Sequence, residues 1–189
     1  MPDCCFIDGI RIDHTESEVD AIFQFLVEKD IRGIVELGMH EGGLAYCITK
    51  EMPRINYCGV TNNLLSITAG IKIRSEHSKF ITILEGDALS ADIITKVGTW
   101  VAERWTILFY CDGINKVQQI TLYRNLVRFG DYLGAHDYWN KSRVLPELPL
   151  YSHPEIDDTS LKFLRQQFQP TRFEPLIKTR IAILQRRTK

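Results

Sequence analysis

The sequence predicts an α/β protein: a Rossmann-like three-layer sandwich with a mostly parallel seven-stranded sheet ending in an antiparallel β-hairpin. Three observations carry this. Short apolar runs alternate with segments whose apolar residues recur at helical spacing, the pattern of parallel strands joined by crossover helices. The strands are almost continuously apolar, as burial on both faces demands. At the end of the chain, Arg172–Ile177 and Arg180–Leu184 are separated only by Lys178-Thr179, too short a connection for anything but an antiparallel pair.

The elements follow in order. Thr15 and Glu18 have capping-box spacing, and Val19, Ile22, Phe23 and Leu26 then recur at i, i+3, i+4, i+7, so an amphipathic helix covers about 14–30. Gly33–Gly38 reads as a short buried strand. Leu44, Cys47, Ile48 and Met52 mark a helix that Pro53 stops. Asn56–Val60 is a strand and Ile67–Arg74 a helix. Phe80–Leu84 is a strand, and Ser90–Val97 a helix that Gly98 ends. Trp105–Cys111, the most apolar strand, belongs at the centre. Val117, Ile120, Tyr123, Leu126 and Val127 form a helical stripe closed by Gly130. Tyr132–Ala135 is the fifth strand. Residues 138–154, with Pro146, Pro149 and Pro154, read as a long loop. Ser152 and Glu155 then cap a helix running to about Phe168.

Composition narrows the function classes. The 189 residues, 44% hydrophobic and 25% charged, suit one globular domain over 1–189. The formal net charge of -1 provides no field to recruit nucleic acid or an anionic membrane, and no run is long and apolar enough to span a bilayer. The five cysteines show no CxxC pair and no histidine at zinc spacing, so reduced buried thiols are expected. The first residues carry acids where a signal peptide needs an apolar stretch. The expectation is a cytoplasmic protein.

In open parallel sheets, ligands bind outside the carboxyl ends of the strands. Those ends read Glu36–Gly38, Thr61-Asn62, Gly86-Asp87, Asp112-Gly113 and His136-Asp137. Four of the five carry a carboxylate where burial makes an idle one costly, although any single acid there also serves as a helix cap or solvated loop residue. In VELGMHEGG (35–43), Gly38 and Gly42 let backbone amides approach a ligand and let the chain turn sharply into a helix. His40 occupies the second glycine position of a dinucleotide fingerprint, so GxGxxG is not met. No phosphate-binding GK[ST] loop and no GxSxG elbow is present.

Taken together, VELGMHEGG, YCGVTNN, ILEGDALS, LFYCDGINK and YLGAHDYW resemble the successive motifs of class I S-adenosylmethionine-dependent methyltransferases, over about residues 30–186. Within that family they look most like small-molecule O-methyltransferases of the cephalosporin-hydroxylase-like and macrocin O-methyltransferase-like groups. The resemblance implies S-adenosylmethionine as cofactor. Glu36 would meet its methionine amino end, with Gly38 and Gly42 lining it by backbone. Asp87 would hydrogen-bond near the adenine, and Asp112 would stand beside the sulfonium methyl, facing the acceptor.

Two departures stand out. The acid that usually ends the second strand and accepts from both ribose hydroxyls is here Thr61, followed by Asn62 and Asn63. A neutral acceptor weakens ribose binding by roughly 1–3 kcal/mol unless Asn62 substitutes. Metal-dependent relatives hold Mg²⁺ on acids at the fourth and fifth strands, some with a His three residues after the first acid. Asp112 and Asp137 match, but Asn115 stands at that His position. Asp112, Asp137, the Asn140 amide and waters form one candidate Mg²⁺ shell; the alternative is that Asp137 only caps its loop. Lys116 and His136 are candidate bases beside Asp112, against a solvated Lys116 and a core His136. The DNA amino-methyltransferase signature is missing, since that place reads CDGI.

The expected function is methyl transfer to a small-molecule acceptor, with a hydroxyl oxygen favoured and Tyr138, Trp139, Tyr151 and His153 on the acceptor-side loop. No nucleic-acid or membrane partner is expected. The acceptor site is either open or completed by another subunit of a homo-oligomer. The alternative is a catalytically degenerate binding or interaction module on the same fold; nicotinamide chemistry is disfavoured by the glycine spacing.

Overall fold

A computed structural model describes residues 4–67, 71, 75–76, 78–102, 105–139, 156–157, 159, 161–171 and 179–187. Its centre is a seven-stranded sheet in the order β10-β11-β7-β6-β3-β4-β5. The strands are β3 (Gly33–Leu37), β4 (Asn56–Thr61), β5 (Ile81–Glu85), β6 (Ile107–Cys111), β7 (Tyr132–Ala135), β10 (Phe168–Pro170) and β11 (Ala182–Arg186). β3 to β7 are parallel, and β11 runs antiparallel to both β7 and β10. The apolar run ending at Cys111 is the middle strand, as its composition predicts.

Period-two alternation along the buried strands divides the apolar side chains between two cores. Ile34, Tyr57, Leu108 and Tyr110 face α1 (Glu16–Glu28) and α2 (Gly43–Glu51). Val35, Cys58, Phe109 and Leu133 face α3 (Ala91–Trp100) and α4 (Lys116–Tyr123). The capping box of α1 is formed: Glu18 N donates to Thr15 Oγ1 and Thr15 N donates to Glu18 Oε2. All five cysteines are free, and four of them are buried. Burial pushes the Cys58 thiol up to about 12, as expected of inert core thiols. Among the described residues, no helix is long and apolar enough to cross a membrane.

The structure adds a feature and corrects several expected boundaries. β1 (Cys5–Ile7) and β2 (Ile10–Ile12) form an N-terminal hairpin. Its turn residues Asp8 and Gly9 have φ of 53° and 76°, both left-handed as a two-residue type I′ turn requires. Gly98 does not end its helix. α3 continues to Trp100, whose ring meets Trp105 at 6.0 Å between centroids, and that packing outweighs the roughly 1 kcal/mol cost of an interior glycine. The next helix ends at Tyr123, well before Gly130. Leu126, in a turn, and Val127, just after it, keep their stripe, and Asp131 folds the chain back by accepting from Arg128 N and Ile107 N, each at 2.9 Å.

The expected helix 155–168 is replaced. Ile156–Asp157 is strand β9, parallel to β8 (Tyr138–Trp139), and Lys162–Leu164 is one 3₁₀ turn. Leu161, Leu164 and Phe168 mimic helical spacing because turns bring all three to the same core. The terminal antiparallel pair exists, but β11 pairs with Phe168–Pro170. The expected strand 172–177 lies outside the described residues, as do residues 140–154 of the expected acceptor-side loop and most of the expected helix 67–74.

Candidate active site

The sheet order reverses between β3 and β6, which lie side by side while their following helices go opposite ways. At such a switch point the loops diverge and leave a crevice. Gly38 (φ +97°) leaves β3 there, and a Cβ built on it would lie 2.3 Å from Gly113 Cα. The two loop backbones therefore touch, bonded by Asp112 N donating to Leu37 O at 2.9 Å. Only glycine meets both the left-handed conformation and the close approach. Gly42 (φ +79°) starts α2, and its missing Cβ makes room for Ile71 and Met39.

A cleft of about 810 Å³ opens above this junction. Gly38, Thr61, Asn62, Asp87, Asp112, His136 and Asp137 all line it. Glu36, Gly42 and Lys116 do not. Asp87 is exposed and accepts from Leu89 N at 2.8 Å, fixing its loop. The Thr61 hydroxyl is tied into its own turn, accepting from Asn63 N at 3.2 Å, so Asn62 is the exposed polar side chain at that wall. Among the described residues, three of the five non-glycine positions with positive φ, His40, Asn115 and Asp137, lie on this cleft. Such strain collects at functional edges.

Beneath the cleft lies a network of buried charge. Asp112 Oδ1 is 3.1 Å from His136 Nδ1, and Asp112 Oδ2 is 3.4 Å from His14 Nε2. His136 Nε2 is 3.4 Å from Glu18 Oε1, which accepts from Arg180 Nε at 3.1 Å. Asp137 is held by Lys116 Nζ at 3.1 Å and lies 3.4 Å from Arg180 Nη1. The hairpin β1–β2 sets the height of His14. Arg11 O packs where a Gly43 Cβ would be, and Asp8 accepts from Tyr46 Oη and Lys50 Nζ.

The electrostatics follow from these contacts. Burial opposes charge on His136, but Asp112, Glu18 and Asp137 outweigh it and raise its pKa to about 10. Burial would likewise raise Asp112, yet His14, His136 and Lys116 hold it below its ordinary value. His14 goes the other way: burial dominates and lowers it, so the two imidazoles, with ring centroids 4.4 Å apart, are pushed in opposite directions. Glu36 is 2% exposed, beneath the cleft rather than on its wall. Burial raises it to about 8 despite the hydrogen bond that Tyr57 Oη donates at 2.7 Å.

His14, Glu18, Arg180 and Arg11 escape sequence reasoning. Glu18 is legible as a capping residue, and it is one; its second oxygen serves the network, a role with no local signal. Arg180 comes from the far end of the chain, and only the pairing of β11 with β7 brings it to His136. Asn140 lies outside the described residues.

No protein-family model and no curated protein sequence matches the chain. Solved structures do. A proposed caffeoyl-CoA O-methyltransferase from Staphylococcus aureus superimposes with a TM-score of 0.65 at 13% identity, over 98% of this chain and 87% of its own. CmcI in its apo form gives a TM-score of 0.69 at 20% identity, over 98% and 77% of the two chains. CmcI with Mg and SAM gives 0.67 at 20%, over 96% and 76%. At these identities the likeness is one of fold: the chain has the fold of class I S-adenosylmethionine-dependent methyltransferases.

Proposed function

We propose that the chain transfers the methyl group of S-adenosylmethionine to a small-molecule acceptor, at a hydroxyl oxygen. The observation that carries this is the crevice at the switch point, where the bare Gly38 and Gly113 backbones meet beside an ionised Asp112. The residues present fit the cofactor. The cleft floor at Gly38 and Gly113 is bare main chain, since the two backbones abut, which suits a ligand lying along backbone; Asp87 suits an amino or hydroxyl donor at the adenine side, and Asp112 suits a positive centre.

When bound, S-adenosylmethionine supplies an electrophilic methyl on sulfur for in-line displacement. The chain's own contribution is positioning and charge. Gly38 keeps the floor low. Asn62 offers the ribose a donor and an acceptor that Thr61, tied into its turn, does not. Asp112 faces the cleft and draws off the acceptor's hydroxyl proton at a carboxylate oxygen. His136 orients that carboxylate through Nδ1, and while protonated it acts by its charge rather than as a base. Lys116 anchors Asp137 by their ion pair. Glu36 acts from beneath, through any water that reaches the cofactor's amino end. A Mg²⁺ ion on Asp112 and Asp137 would compete with Lys116 and Arg180 for the second carboxylate.

Incubation with S-adenosylmethionine and a panel of small hydroxyl compounds tests this by mass spectrometry. The expected result is a methylated product with S-adenosylhomocysteine, reduced about 100-fold or more in Asp112→Asn. Equal turnover by that variant would remove Asp112 from the chemistry. Thr61 favours a second reading, a module that binds without turnover, which cofactor binding with no product across the panel would support.

A further inference from the structure

The cleft floor holds a donor set of which the transfer chemistry above uses Asp112 and His136 but not His14. His14, Asp112 and His136 each present a ligand atom within 4.8 Å of the others. The two imidazoles are 1% and 5% exposed, while Asp112 and His136 open onto the cleft. The Asp112 oxygens stand 3.4 Å from His14 Nε2 and 3.1 Å from His136 Nδ1. Adjacent ligands around a divalent ion bound at about 2.0–2.2 Å stand on the order of 3 Å apart, so little movement is needed. Of the remaining nitrogens, His14 Nδ1 is buried without a hydrogen bond, and His136 Nε2 stands 3.4 Å from Glu18 Oε1, the carboxylate–histidine arrangement that orients a metal-ligating ring. An ion on His14 Nε2 would replace its 3.0 Å contact with Tyr110 Oη.

Donor chemistry then selects the ion. Magnesium takes oxygen ligands and dehydrates reluctantly, and the neighbouring carboxylate, Asp137, already serves Lys116 and Arg180. Two imidazoles and one carboxylate suit zinc, iron(II), cobalt(II) or nickel(II). We infer that His14, Asp112 and His136 form a site for a divalent first-row transition ion, in preference to Mg²⁺, with its open positions toward the cleft. The inference rests on the transferase site and names its metal. Its distinctive element is His14, which the N-terminal hairpin delivers to the sheet edge.

Chelator-treated protein titrated with CoCl₂ tests it by visible absorption. Ligand-field bands are expected, with Co²⁺ affinity reduced by about 100-fold or more in His14→Gln. The bands should persist in Asp137→Asn and in about 100-fold excess MgCl₂. If circular dichroism shows that His14→Gln has not folded, His136→Gln takes its place. Bands that survive loss of either histidine, displacement by Mg²⁺, or no bands at all would overturn the inference. Thermal stabilisation by S-adenosylhomocysteine, measured on the same samples, keeps the two claims apart. Stabilisation without a cobalt spectrum removes the metal and leaves the transferase; cobalt bands without stabilisation do the reverse.

Discussion

Gly38 is constrained twice over. Its φ of +97° and the mere 2.3 Å that would separate an added methyl carbon from Gly113 Cα are independent obstacles to a side chain. Gly38→Ala should therefore destabilise the fold by about 2–4 kcal/mol and abolish cofactor binding, as read by urea unfolding and calorimetry. A stable variant that binds normally would mean that the β3 and β6 loops separate easily. Asp112 shows the opposite kind of constraint. Its position at a strand end is legible from sequence, but the two histidines that hold it ionised come from 98 residues upstream and 24 downstream by residue number. Sequence places the acid; long-range packing sets its charge.

Among the elements, α1 joins a local signal to a distant one. Its capping box stabilises the helix start, and the same Glu18 bonds Arg180 and stands against His136. The two roles separate by substitution. Thr15→Ala should cost about 1 kcal/mol, the usual loss of an N-cap. Glu18→Gln breaks a buried ion pair and should cost about 3 kcal/mol or more, as midpoints of denaturant unfolding would show. Equal small losses would reduce Glu18 to a cap. β3 to β7 and the helices α2, α3 and α4 are legible because burial writes apolar runs and a 3.6-residue stripe into the sequence. Their ends are less so: Gly98 and Gly130 look like stops, yet tertiary packing carries one helix past its glycine and ends the other early. The Asp8-Gly9 turn is a plain hairpin signal, but the strands beside it span only three residues each, too short to show alternation.

At the scale of the whole molecule, the buried charges shape stability against pH. His136 has a folded pKa of about 10 against an ordinary 6.5, and Glu36 one of about 8 against 4.5. Both are raised, so the stability they contribute is complete below the ordinary values and is lost as pH rises through the folded ones. Asp112 is lowered, so its contribution is present above its ordinary 3.8 and lost in acid. Stability should thus fall from weakly acidic toward alkaline pH, and Glu36→Gln, which cannot ionise, should flatten the part of the decline between about 4.5 and 8. An unchanged slope in thermal unfolding across that range would mean that Glu36 does not titrate there.

The sheet's order and its ligand-bearing edge follow from alternation and crossover rules, which is why five strand-end motifs locate the cleft. The described residues from 156 onward are harder to read: their strands are short, their turns imitate a helix, and their contribution to the site, among the described residues, is the single side chain of Arg180. The central claim is that the Gly38–Asp112 crevice binds S-adenosylmethionine, and calorimetric titration with S-adenosylhomocysteine tests it most directly. Saturable one-site binding is expected, with about 2.7 kcal/mol of added stability at 100 times the Kd, and its loss in Gly38→Ala. No heat and no stabilisation at millimolar ligand would contradict it.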